Sequence, residues 1–399
     1  MKIDAEELAE LYTALDDVDD PYPMWAEGRR TQPVQRTTGA ARDDMYVIHC
    51  WDDVQSVLRD GDTFSSRIND DTMGPYMGKT ILAMDGDEHR AYRSLVASAF
   101  RASSLARWGD EVVTPSVNAL LDGIAPKGQA DLVQELTARF PVQVIAAIIG
   151  VPLSDYDQFQ VWADDINFGP RDPKRSKAAS QAMTAYLEPI VVDRRRNPQG
   201  DLLSELVCAE VEGHTLDDDH LYGFLRLLIP AGAETTFRMF GNALVALLTH
   251  PHVLAEVTAN RALLPSVIEE TLRWETSVTM VNREATKDVE VDGCPIPKGA
   301  GILALVGSAN RDGAHYDRAD EWDPHREPKP HMAFGTGIHQ CLGMHLARLE
   351  LGIGLDAVLT RLPNLRPDPA FPPPEIRGLP FRSPPALHVL YDAVGGSTS

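Results

Sequence analysis

The chain has 399 residues, 43% hydrophobic and 24% charged, enough for a large core and with no low-complexity tract. Its formal net charge of −22 argues against nucleic acid, whose phosphates select basic surfaces, and against binding an anionic membrane surface. The four cysteines, Cys50, Cys208, Cys294 and Cys341, show no CxxC spacing, so neither disulfides nor structural zinc are expected.

The N-terminus, MKIDAEELAELYTALDD, is acidic and amphipathic and lacks the basic start and apolar run of an export signal. A soluble cytoplasmic protein without a membrane anchor is therefore expected. From Met45 the stretch MYVIHCW alternates weakly and turns helical at Asp52–Leu58, a strand feeding a short helix. Asp60 to Lys79, rich in Gly, Asp and Ser, reads as a long loop, with Met73, Tyr76 and Met77 among its apolar members. Helical patterns dominate from Asp87 to about Ile149, and Pro152 ends one of them. Asn167 to Lys177 is a polar, Pro-containing break. The segment RRRNPQGDLLSELV (194–207) reads as a helix end, a turn and a new helix start, its arginines complementing the dipole. The most apolar stretch, Leu221 to His250, is interrupted by Arg226, Glu234 and Arg238, so it reads as a buried helix and not a membrane span. Beyond Thr286, VEVDGCPIPKGAGILALV alternates and turns as a small β-meander. Residues 361–385 are Pro-rich and irregular, and the tail GGSTS (395–399) is expected to be disordered. With no repeat and no linker, residues 1–399 read as one mainly α domain with a smaller β region, an α+β fold.

The most specific segment is FGTGIHQCLG, Phe334 to Gly343. Gly335 and Gly337 let the backbone turn sharply beside a bulky group. Leu342, Leu346, Leu349 and Ile353 then follow at helical spacing, which puts Cys341 at a helix N-terminus, where the dipole favours a thiolate. A lone thiolate suits one axial bond to a metal held mainly by something else, as in a haem iron. The alternative is a buried core cysteine.

Three further clusters carry chemistry. In AGAETT (231–236) the carboxylate of Glu234 and the hydroxyl of Thr235 fall mid-helix beside Pro230 and Gly232, which should loosen the helix and admit water. The alternative is a kink with Thr235 bonded back to a carbonyl. In SVIEETLRW, Glu270 and Arg273 share one helix face, a pattern that alone describes a surface ion pair. Asp323–Pro324–His325–Arg326 follows before the cysteine loop. In DGDEHRAYR, His89 and Arg93 are four apart and share a face; with Arg283 and His339 they either serve as solvated charges or hold carboxylates.

In these four clusters, taken in their order along the chain, the sequence resembles the cytochrome P-450 monooxygenases from roughly Tyr46 to Leu390, matching the pattern F-G-x-G-x-H-x-C-x-G at every fixed position. The resemblance implies haem b with Cys341 as axial ligand and His89, Arg93, Arg283 and His339 on the propionates. His331 is a lesser candidate, since its position better suits loop packing. Glu234 and Thr235 correspond to an acid–alcohol proton relay, although many members have Asp where this chain has Glu234. Glu270, Arg273 and Arg326 correspond to a structural network behind the haem. Leu228, Ala231, Val278 and Met280 are implied as pocket walls, with lids near Met73–Met77 and Phe168. The implied substrate is a hydrophobic small molecule, terpenoid, steroid or fatty-acid-like, oxidised with dioxygen. Electrons would come ultimately from NAD(P)H through a separate reductase and a ferredoxin or flavodoxin-type partner, docking on a basic patch of Arg101, Arg107, His345 and Arg348. A peroxide-driven peroxygenase, which usually lacks the acid–alcohol pair, and a non-catalytic haem sensor are the alternatives.

Overall fold

The structure, a computed structural model, describes residues 14–38, 44–167, 169 and 172–394. The helices that position the site are α1 (Trp51–Arg59), α2 (Ile68–Met77), α3 (Gly86–Ala97), α4 (Phe140–Ile149), α5 (Tyr156–Asn167), α6 (Pro173–Arg196), α7 (Asp218–Thr249), α8 (Leu264–Trp274) and α9 (Met344–Arg361). Strands β1 (Val34–Thr37), β2 (Met45–Ile48), β3 (Phe64–Ser65), β4 (Val281–Ala285) and β5 (Gly301–Ala304) form one sheet in the order β1-β2-β5-β4-β3. The β5 strand runs parallel to β2, and the other pairings are antiparallel.

The 32-residue α7 is the axis of the helical part. Asp217 caps its N-terminus by accepting from the His220 amide at 2.9 Å. Its buried face packs against α4, where the Phe140 and Phe240 rings meet edge-to-face at 5.9 Å. Contrary to the expected loosening at Pro230 and Gly232, α7 is unbroken there. Gly232 instead allows close packing: a Cβ at that position would lie 2.9 Å from Ile145 Cγ1. Among the described residues no helix is long and apolar enough to cross a membrane.

Several sequence expectations need correction. The long loop over Asp60–Lys79 contains helix α2, despite Gly74 and the internal Pro75. Asp70 and Asp71 in its first turn suit the dipole. Tertiary bonds then hold it: Asn69 Nδ2 donates to the Leu82 carbonyl at 3.1 Å, and Ser180 Oγ of α6 donates to the Tyr76 carbonyl. The break at Asn167–Lys177 is shorter than expected, because α6 starts at Pro173 with Asp172 as its cap. The meander divides: Val289–Val291 pairs with Cys294–Ile296 across a tight Asp292–Gly293 turn, whereas Gly301–Ala304 joins the main sheet. Phe168 and residues 395–399 lie outside the described residues.

Candidate active site

The cysteine loop is closed by its own backbone. The Cys341 amide donates to the Phe334 carbonyl at 2.8 Å, and the Gly335 amide to the Met332 carbonyl at 2.9 Å. Gly337 has φ +76°, and a Cβ there would lie 2.5 Å from the Leu58 carbonyl oxygen of α1. A side chain at this position would strain the backbone and push α1 away from the loop. Gly337→Ala should therefore destabilise the protein by about 1–3 kcal/mol and lower the haem-to-protein absorbance ratio of the purified protein. An unchanged melting temperature and an unchanged ratio would show that the loop absorbs the methyl group.

Cys341 stands three residues before α9 begins at Met344. Its side chain is solvent-accessible, yet burial pushes its thiol up, and the Gly343 amide, Arg93 and Arg348 only partly offset that. Both observations suit a side chain at the floor of a cleft, open on one side and lined by protein on the others. Burial therefore favours the thiol over the thiolate, despite the Gly343 amide and the two arginines. A metal cation would reverse the balance.

The four residues anticipated as carboxylate contacts come together from three separate elements. His89 and Arg93 lie on α3, Arg283 on β4, and His339 on the cysteine loop. The His89 and His339 rings are 4.2 Å apart. Both imidazole Nε2 atoms are buried without a hydrogen-bond partner. Burial first, then His89, Arg283 and Arg93, lowers His339 to about 3. Burial also brings Arg283 down to about 10, against the opposing pull of Asp85. Arg93 donates through Nη2 to the Gln340 carbonyl, tying α3 to the loop. Crowded, desolvated cationic groups and orphaned imidazole nitrogens are costly unless an anion completes them. These residues therefore fit the two carboxylates of a porphyrin, which they would hold.

On α7, Ala231 is exposed and Thr235, one turn on, is half-buried, so this stretch of the helix faces open space. Thr235 Oγ1 donates to the Ala231 carbonyl at 2.7 Å, which is the back-bonded alternative. Glu234 is bound by Arg238, whose Nε donates to Oε1 at 2.7 Å, and Arg238 Nη1 donates to Ser383 Oγ at 2.9 Å. Of the anticipated pocket walls, Val278 is half-buried and bridges Phe381, a half-exposed ring that also faces Arg238. Leu228 is buried in the helical core, and Met280 packs against the Tyr22–Trp25–Leu305 cluster.

Glu270 and Arg273 form a buried bidentate pair at 2.7 and 2.8 Å. Arg273 also donates to the carbonyls of Asn310, Ala319 and Glu321. Arg326 Nε reaches Glu270 Oε1 at 3.3 Å, and the Asp323 amide donates to the same oxygen at 2.9 Å. The pair is therefore not a surface ion pair. It fastens α8 to the strap that leads into the cysteine loop.

The expected basic patch is largely neutralised. Arg348 makes a bidentate contact with Glu269 at 2.6 and 2.8 Å, and Arg101 and Arg107 both lie beside Glu205, at 3.6 and 3.3 Å. His345 is exposed. His331 donates to Glu269 at 3.2 Å and accepts from the Ala333 amide, so it packs the loop. Glu269 is not distinguished by its sequence context, and Arg238 is marked only as a charge that interrupts the apolar stretch. The only trace of Glu269 is the second carboxylate of the Glu269–Glu270 pair.

A family profile described as Cytochrome P450 matches residues 154–388. The cytochrome P450 monooxygenase PikC of Streptomyces venezuelae is 34% identical over 379 residues, covering 90% of this chain and 89% of that protein. Mycinamicin IV hydroxylase/epoxidase of Micromonospora griseorubida is 33% identical, covering 92% and 94%. The chain belongs to the cytochrome P450 family. Its fold is the P450 fold: the structure of CYP109Q5 from Chondromyces apiculatus superposes with a TM-score of 0.87 at 33% identity, over 94% of this chain and 96% of that one. That of CYP109E1 from Bacillus megaterium in complex with testosterone gives 0.86 at 30%, over 94% and 99%. The protein is thus a P450 monooxygenase of bacterial type, in a family built around haem iron.

Proposed function

We propose that this P450 is a haem-thiolate monooxygenase that hydroxylates a hydrophobic small molecule with electrons from a separate donor. The observation that carries the proposal is the accessible Cys341 on its closed loop beside two buried imidazole nitrogens that make no hydrogen bond and two arginines. When bound, haem supplies the activation of dioxygen and the oxygen insertion. Cys341 Sγ would hold the iron. His89, Arg93, Arg283 and His339 orient the propionates and receive the charge that relieves their crowding. Thr235 Oγ1 moves a proton once its bond to the Ala231 carbonyl is exchanged, and Glu234 feeds that hydroxyl when Arg238 releases its carboxylate. Ala231, Val278 and Phe381 exclude water on the substrate side.

The class of substrate is a terpenoid, steroid or fatty-acid-like molecule. A steroid is supported by the similarity to a P450 solved with testosterone. Electrons come from NAD(P)H through a reductase and a ferredoxin or flavodoxin-type protein, and the enzyme works in the cytoplasm. Turnover with dioxygen and a surrogate ferredoxin system, compared with peroxide alone, tests the reading; turnover with peroxide only would transfer it to a peroxygenase. Lipophilic compounds that convert the Soret band from low to high spin identify the substrate class. Thr235→Ala should reduce product formed per electron consumed by about tenfold, with the electrons recovered as peroxide. Intact coupling in that variant would remove Thr235 from the relay.

A further inference from the structure

Glu269 has no part in the P450 chemistry above, yet it joins the two flanks of the cysteine segment to a third element. From α8 its carboxylate accepts two bonds from Arg348 of α9, at 2.6 and 2.8 Å, and one from His331 Nε2 at 3.2 Å. The other nitrogen of His331 accepts from the Ala333 amide. The Arg348 guanidinium lies 4.6 Å from the centroid of the Phe334 ring, and the Phe334 carbonyl receives the Cys341 amide. Burial works against the Glu269 charge, but hydrogen bonds from Arg348 and His331 outweigh it and hold the carboxyl at about 2. The group is therefore ionised throughout the working pH range. Arg348 is also within electrostatic reach of Cys341.

Resting on the haem-thiolate reading, we propose that Glu269 is a positioning residue for the axial cysteine. Through His331 and Arg348 it anchors both sides of the loop to α8 and balances the positive charge beside Cys341. The neighbouring carboxylates of α8 thus divide the work, Glu270 binding the strap before the loop and Glu269 the loop itself. A paired Arg348 presents little net charge to the thiolate, whereas an unpaired one presents a full charge in a partly desolvated setting. Positive charge beside an axial thiolate favours the state carrying one more electron, and so raises the reduction potential.

The test is a spectroelectrochemical titration of the haem-loaded protein. Glu269→Gln keeps the shape and removes the charge, and the potential should shift to more positive values. Arg348→Gln should shift it the opposite way, and the double variant should return to the wild-type potential. Glu269→Asp, which keeps the charge, should stay close to wild type. Mere loosening of the loop would move both single variants in the same direction, so shifts of the same sign, or none, overturn the proposal. Should Glu269→Gln fail to fold, Arg348→Lys, which keeps the charge but loses the bidentate contact, is compared with Arg348→Gln: a negative shift in Arg348→Gln that Arg348→Lys does not share supports the proposal, and equal shifts in the two overturn it. A wild-type protein without a thiolate-type ferrous–CO band would instead defeat the haem-thiolate reading on which the proposal rests.

Discussion

Glu270→Ala is expected to destabilise the protein by about 3–5 kcal/mol, the cost of leaving one partner of a buried ion pair uncompensated. The Glu270 and Arg273 side chains are only 6% and 3% exposed, so solvent cannot replace the lost carboxylate. The same substitution removes an acceptor from Arg326 Nε and from the Asp323 amide as well as from Arg273 Nε and Nη2, so four donors lose a bond, of which only Arg273 Nη2 keeps another acceptor, the Glu321 carbonyl. Against a typical domain stability of about 5–15 kcal/mol, this is a large fraction. Urea unfolding followed by far-UV circular dichroism should show a midpoint lowered accordingly. Glu270→Gln, which keeps an oxygen acceptor, should lose less. A change under about 1 kcal/mol in the alanine variant would mean that the three backbone carbonyls around Arg273 hold the guanidinium without Glu270.

Cys341→His is expected to abolish the thiolate-type ferrous–CO spectrum and turnover with dioxygen, while leaving a folded, haem-retaining protein. The loop is closed through the main-chain amide of residue 341 and through Gly335 and Gly337, none of which depends on the thiol. The residues proposed to hold the propionates lie on α3, on β4 and at His339, and the substitution leaves them untouched. Ligand identity and haem retention are therefore separable, since the axial atom sets the electronic character of the iron. Persistence of the thiolate band would assign the ligand elsewhere; loss of haem altogether would mean that Cys341 supplies most of the affinity.

The residues read most directly from the sequence were those whose spacing is governed by local geometry. The F-G-x-G-x-H-x-C-x-G segment encodes a turn, and the Glu270–Arg273 spacing places both charges on one helical face. His89 and Arg93 share a face for the same reason. What spacing could not tell was which charges would be buried. An ExxR pair on a surface and one inside a strap have the same sequence, and the difference lies in the carbonyls of residues far along the chain. Helix α2 is not legible in the sequence because Gly74 and Pro75 lower its propensity, and bonds from Asn69 to Leu82 and from Ser180 to Tyr76 provide what local sequence does not. Gly232 was read as a loosening residue because a glycine in a helix carries that meaning unless a neighbour such as Ile145 occupies the space its side chain would fill.

Sequence alone established the family, the α+β fold and the identity of the candidate axial ligand, because these rest on short-range patterns that any folded context must satisfy. Tertiary structure decided which charges remain free. It paired Arg348 with Glu269 and Glu234 with Arg238, buried Leu228, packed a half-buried Met280 against the Tyr22–Trp25–Leu305 cluster, and gathered His89, Arg93, Arg283 and His339 around one space. Pairing and desolvation are properties of neighbours distant in sequence, and only folding brings those neighbours within reach.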